Sequence, residues 1–224
     1  MSSDLPSSPL TQLRFGLERI VGALRSDDWS AANGVGLNPT QIHILAFLAG
    51  RAPLGLRVQA ISEHLGVSQP TATDSVNALL RKNLVDKRAD AKDARATLVH
   101  ITDAGAAIVR SLGQIEMATG QALADLNHDE QTDLLRVLVK LIRSLQIARA
   151  IPVQRMCVTC RFFKPFAHPD ANQPHHCDFV NAAFGDRQFR LDCGEHETAE
   201  SAIQFANWSS FQAGAARPES PPHP

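Results

Sequence analysis

Gly66 stands between two short runs of helical apolar spacing, and the residues that follow them are β-branched, so Val58 to Ile101 has few ways to fold. Val58, Ile61 and Leu65 recur at three- and four-residue steps, which predicts a short helix. Gly66 closes it, because glycine adopts the left-handed backbone of a sharp turn without steric cost. Ser68 then supplies a capping hydroxyl, Pro70 is tolerated in a first turn, and Val76, Leu79 and Leu80 give the next helix a buried side. Two short β-branched runs come after it, LVDKR and TLVHI, joined by the charged ADAKDARA. The expectation is two helices meeting at a glycine turn, backed by a two-stranded β wing.

Helices are expected on both sides of this stretch. Leu10, Leu13, Leu17, Ile20, Val21 and Leu24 form one apolar stripe, and Asn38-Pro39 opens a further helix through Ile42, Leu45, Phe47 and Leu48. Thr102 caps a long helix predicted to run to about Ala124. Asn127 and Glu130 make a capping box for the last one, in which Leu134, Leu138, Leu141 and Leu145 repeat at steps of four, three and four. The first and the last two of these helices carry more apolar surface than a small domain can use, which points to a dimer. The fold class is therefore mainly α with a small β wing.

The run VQAISEHLGVSQPTATDSVNALLRKNLVDKRADAKDARATLVHITDAG resembles the winged helix-turn-helix of the MarR family of bacterial transcription regulators. The likeness covers roughly residues 10 to 148, and includes the Gly66-Val67-Ser68 turn, the Leu84-Val85 strand start, the Asp90 to Arg95 wing and the Thr102-x-x-Gly105 helix start. It implies a homodimer whose chain ends interlock, with two recognition helices on a pseudo-palindromic operator. It also implies a small aromatic effector held between the dimer helices and the winged domain.

The residues support DNA as a partner on their own chemistry. Ser68, Gln69, Thr71, Thr73 and Asn77 are short polar groups opposite Val76, Leu79 and Leu80, suited to base edges and phosphates in a major groove. Arg88, Lys92 and Arg95 lie on or beside the wing, which suits the adjoining minor groove, and Arg81 to Arg95 holds six basic residues against three acidic ones. Two features depart from the family pattern: Asp74 stands where a basic residue is common, and Ala91 and Ala94 replace the wing's usual proline and one arginine.

All four cysteines fall between Cys157 and Cys193, with the spacing C-x2-C-x16-C-x15-C. Thiols so confined, with no signal peptide ahead of them, suit one metal centre better than a disulfide framework. Eight of the ten phenylalanines also lie between residues 153 and 211, where regular apolar periodicity is weak. The expected module is small, irregular and metal-binding, with Cys157, Cys160, Cys177 and Cys193 as ligands of zinc or of an iron–sulfur cluster. His176 and His196 adjoin two of these cysteines and are candidates for an alternate ligand or for a donor to sulfur.

The expected organisation is a winged-helix and dimerisation domain over 10–149 and a four-cysteine module over 153–211, between disordered ends at 1–9 and 212–224. No apolar run approaches the roughly 20 residues of a membrane-spanning helix, so a cytoplasmic, nucleoid-associated protein is expected. A net charge of −1 leaves any case for nucleic acid to local pattern. H-E-x-x-H, Ser-His-Asp and phosphate-loop patterns are absent, and the chain does not read as an enzyme. Two functions remain: a DNA-binding regulator acting as a repressor, with the metal centre stabilising it or sensing metal or redox state, and a metal-stabilised protein-interaction adaptor whose winged helix does not bind DNA.

Overall fold

Short polar side chains open the helices where the sequence places them. In the computed structural model, which describes residues 8–90, 93–115 and 117–214, α1 spans Pro9–Gly34, α2 Pro39–Ala49, α3 Val58–Leu65 and α4 Gln69–Arg81. Asn38 Oδ1 accepts from the Gln41 amide at 2.9 Å while Gln41 Oε1 accepts from the Asn38 amide at 3.1 Å, so two orphan donors of α2 are satisfied reciprocally. Ser68 Oγ caps α4 by accepting from the Thr71 amide at 3.2 Å. Gly66, at φ 65°, makes the left-handed turn that α3 and α4 share.

The wing follows as an antiparallel pair, β1 (Val85–Asp90) and β2 (Asp93–Ile101), with Arg88 opposite Leu98 and Ala89 opposite Thr97. The strands reach further into ADAKDARA than the sequence suggests, because the charged residues of an exposed ribbon pair their backbones as readily as apolar ones. Leu56 adds a single bridge to Val99, which no local pattern announces. Ile44, Leu45, Leu48, Ile61, Val76, Leu79 and Val99 are fully or almost fully buried and form one core from α2, α3, α4 and the wing.

The long helix expected after Thr102 is broken. α5 covers Asp103–Leu112, the chain leaves the helix at Gly113, and α6 covers Ala118–Ala124. Asp27 of α1 fixes the restart, since its carboxylate accepts both the Thr119 amide at 2.9 Å and the Thr119 hydroxyl. Those bonds hold Asp27 below the usual carboxylate range.

Gly105 explains the close seat of α5. A methyl there would stand 2.2 Å from the Leu84 carbonyl oxygen and 2.9 Å from Ile101 Cγ1. Gly105→Ala is expected to cost about 1–3 kcal/mol or more, since backbone lies in the way and α5 must move off β1. Urea unfolding compared with the parent protein measures it.

The chain divides into two compact units, Met1–Leu126 and Asn127–Pro224. The second unit therefore begins with α7 (His128–Ile147), closed at its start by the Asn127–Glu130 capping box. The sequence groups this helix with the winged domain; by contacts it belongs with the cysteines. Val139 is fully buried, and Leu135 and Ile142 pack with it against Met156, Phe163, Phe189, Trp208 and Phe211. The second unit is also more regular than weak periodicity suggests. It contains a three-stranded antiparallel sheet of β3 (Phe163–Lys164), β4 (His175–Cys177) and β5 (Ala182–Phe184), and a thirteen-residue helix, α8 (Ser201–Ala213). Aromatic residues make up half of its buried cluster and the bulk of its volume, so side-chain size rather than spacing organises it.

Among the described residues no helix is long and apolar enough to cross a membrane.

Candidate functional site

Two places gather polar or ligating side chains: the outer face of α4 with the wing, and a cavity in the second unit.

α4 keeps Ala72, Ser75, Val76 and Leu79 inside, which turns Ser68, Gln69, Thr71 and Asp74 out to solvent. The face is pre-ordered. Ser68 Oγ and Thr71 Oγ1 share a hydrogen bond at 2.7 Å, and the Thr73 hydroxyl donates to the Gln69 carbonyl at 2.8 Å. Asn77 is half-buried, and its Oδ1 accepts from Lys87 Nζ at 3.2 Å, so α4 and β1 are tied through a residue expected to meet DNA.

On the wing, Arg88 is exposed and paired with Asp86 at 2.7 Å, which raises its already high pKa. Arg95 is exposed, and its backbone amide donates to Asp93 Oδ1 at 3.1 Å. Lys92, also expected to contact DNA, lies outside the described residues. Arg57, next to the start of α3, was not singled out by the sequence; its guanidinium reaches Asp90 at 3.3 Å and Asp93 at 3.1 Å. It ties the start of α3 to the two carboxylates that face each other at the turn end of the wing.

Cys157, Cys160, Cys177 and Cys193 all line one cavity of about 140 Å³. Cys157 and Cys160 sit at the two ends of a tight 3-10 turn, with the Cys160 amide donating to the Cys157 carbonyl at 2.8 Å. Cys177 ends β4, and Cys193 is held on its loop by its amide bond to the Arg155 carbonyl at 3.0 Å. Phe162, Phe179, Val180 and Phe184 wall the cavity. Burial, reinforced by the charges of the other three cysteines, pushes the Cys157 thiol up to about 12. Among the described residues, no three His, Cys, Asp or Glu side chains are gathered tightly enough to hold a single metal ion.

The two histidines singled out beside the cysteines do not line this cavity. His176 Nδ1 meets His168 Nε2 at 3.0 Å, and His196 Nε2 meets the Thr159 hydroxyl at 2.9 Å. Burial lowers the pKa of His196. His175 is fully buried among phenylalanines, where it accepts from the Phe166 amide at Nδ1 and donates from Nε2 to Asp186 at 3.0 Å. Its role is to tie β4 to the loop after β5.

Sequence reasoning passed over Arg190 and Glu195, which also line the cavity. The Arg190 amide donates to Cys157 Sγ at 3.4 Å, and its guanidinium reaches Cys193 Sγ at 3.6 Å and Glu195 at 3.1 Å. The Cys193 thiol donates to Glu195 at 3.3 Å, a bond that holds the Glu195 carboxyl below its usual range. The available signal was position, since Arg190 and Glu195 lie within three residues of Cys193.

Residues 35–96 match the family model described as MarR family. Solved structures agree on the fold. The Staphylococcus aureus MepR–DNA complex is 22% identical with a TM-score of 0.54, covering 62% of this chain and 99% of that one. Sco5413, a MarR family transcriptional regulator from Streptomyces coelicolor, is 24% identical with a TM-score of 0.51, covering 64% of this chain and 97% of that one. The transcriptional regulator SlyA is 19% identical with a TM-score of 0.51, covering 59% of this chain and 93% of that one. The segment with the glycine turn and the wing thus has a winged-helix fold and is similar to that of the MarR family.

Proposed function

We propose that this chain is a DNA-binding transcription regulator that acts as a homodimeric repressor on a pseudo-palindromic operator, with a four-cysteine metal centre in its second unit. One observation carries the DNA reading: α4 stands on a fully buried Val76–Leu79 face and turns Ser68, Gln69 and Thr71 outward beside a wing that carries Arg88 and Arg95. A helix so placed suits a major groove, and the strand pair beside it suits the flanking minor groove. The match of residues 35–96 to the MarR family, and a fold shared with a protein solved on DNA, favour the same reading.

Exposed apolar surface supports the dimer reading. α1 leaves Leu10, Leu13, Leu17, Ile20 and Leu24 in solvent, a stripe that a second copy of the chain would bury. The metal centre is supported by four thiols on one cavity in a unit whose sheet has only two- and three-residue strands. A small aromatic effector between the dimer helices and the winged domain remains an expectation of the family alone.

Selection of bound sequences from a random duplex pool, followed by a salt titration, tests the function. Binding should weaken steeply with added salt as Lys and Arg displace counterions from phosphates. No duplex bound at low salt would leave the adaptor reading in its place. Arg95→Ala is expected to weaken the selected complex by about 1–3 kcal/mol, as for one good charged contact to DNA. A gel-shift titration with unchanged affinity would strike Arg95 from the interface.

A further inference from the structure

We infer that the cysteine cavity holds an iron–sulfur cluster on Cys157, Cys160, Cys177 and Cys193, and not a single zinc ion. This rests on the proposed metal centre and specifies its occupant. Space decides first. A zinc ion with Zn–S bonds of about 2.3 Å draws four sulfurs to roughly 3.8 Å from one another and leaves no room between them. Here the four cysteines line one cavity of about 140 Å³ with space beside their sulfurs, and among the described residues no group of three His, Cys, Asp or Glu side chains is set to hold a single ion. A cluster puts inorganic sulfide and more than one iron between the thiolates, so its ligands stay farther apart than those of a lone ion.

The wall agrees with that occupant. Phe162, Phe179, Val180 and Phe184 keep the space apolar, and exclusion of water is one of the ways a protein tunes a cluster. Two N–H groups of Arg190 already point at sulfur, the amide toward Cys157 and the guanidinium toward Cys193. Four thiolates around a core of charge +2 leave a net charge of −2. The Arg190 guanidinium faces it, and also stays paired with the Glu195 carboxylate at 3.1 Å, which gives up its bond from the Cys193 thiol when that sulfur becomes a ligand. The four thiol protons go to solvent as the cluster assembles. His176 and His196 are bonded elsewhere, which leaves an all-cysteine ligand set.

The test is metal and acid-labile sulfide analysis of the full chain, purified without oxygen and also rebuilt from apo-protein with ferric iron, sulfide and a thiol, which supplies the electrons a four-iron core needs. Expected are a brown protein with broad visible absorption and two or four irons per chain matched by equal sulfide. One-electron reduction by dithionite should yield a paramagnetic species. A colourless protein with one zinc per chain and no uptake of iron and sulfide would overturn the cluster while keeping the metal centre. No zinc, iron or sulfide in either preparation would overturn both. Arg190→Gln should keep its iron and shift the midpoint potential to more negative values, because the lost positive charge favoured the reduced core. Full iron with an unchanged potential would overturn the role given to Arg190.

Discussion

Glutamate at both Leu17 and Ile20 is expected to yield a folded monomer that binds the operator about 10²–10⁴-fold more weakly, the advantage lost when two linked contacts become one. The two side chains are 42% and 54% exposed and lie one helical turn apart on α1. They contribute little to the core of a single chain, so the charges should leave the winged helix folded while making a dimer seam too costly to desolvate. Sedimentation gives the mass, circular dichroism the folding, and fluorescence anisotropy the affinity. A variant that stays dimeric with parental affinity would move the dimer seam off α1.

Phe211→Ala is expected to destabilise the second unit by about 3–5 kcal/mol, the usual cost of emptying a buried aromatic site. Phe211 is 1% exposed and touches Phe189, Trp208 and His175, with ring centroids 5.3, 6.1 and 6.1 Å away. The chain has two tryptophans, Trp29 in the first unit and Trp208 in the second. In a Trp29→Phe background, urea unfolding followed by fluorescence reports on the second unit through Trp208. A midpoint change below the equivalent of about 1 kcal/mol would mean that the aromatic cluster relaxes around the gap.

Much of the first unit is legible residue by residue, because its signals are local. Asn38, Ser68 and Thr102 cap helices since each side-chain oxygen is within reach of the amide three residues on. Gly66 turns the chain because only its own backbone conformation is at stake. The break between α5 and α6 escapes the same reasoning, since Asp27, which anchors Thr119, is ninety-two residues away. On α7 the Leu134, Leu141 and Leu145 ridge is real but exposed, while Val139, four residues from both Leu135 and Arg143, is the side chain that meets the aromatic core. Apolar spacing marks both faces of that helix, and spacing alone does not say which face is covered within the chain.

The cysteines divide in the same way. Their number, their confinement to one stretch and the close approach of Cys157 to Cys160 follow from covalent order. The cavity they line depends on β4, on the Cys193 loop and on the phenylalanine wall, which chain distance leaves undetermined. Arg190 becomes part of the site because folding carries its amide to Cys157, thirty-three residues earlier. Caps, turns and amphipathic faces are short-range interactions, so the order of residues specifies the winged helix almost completely. The choice of which apolar face is buried, and which donors surround the thiols, is a competition among distant segments for the same space, and packing settles it.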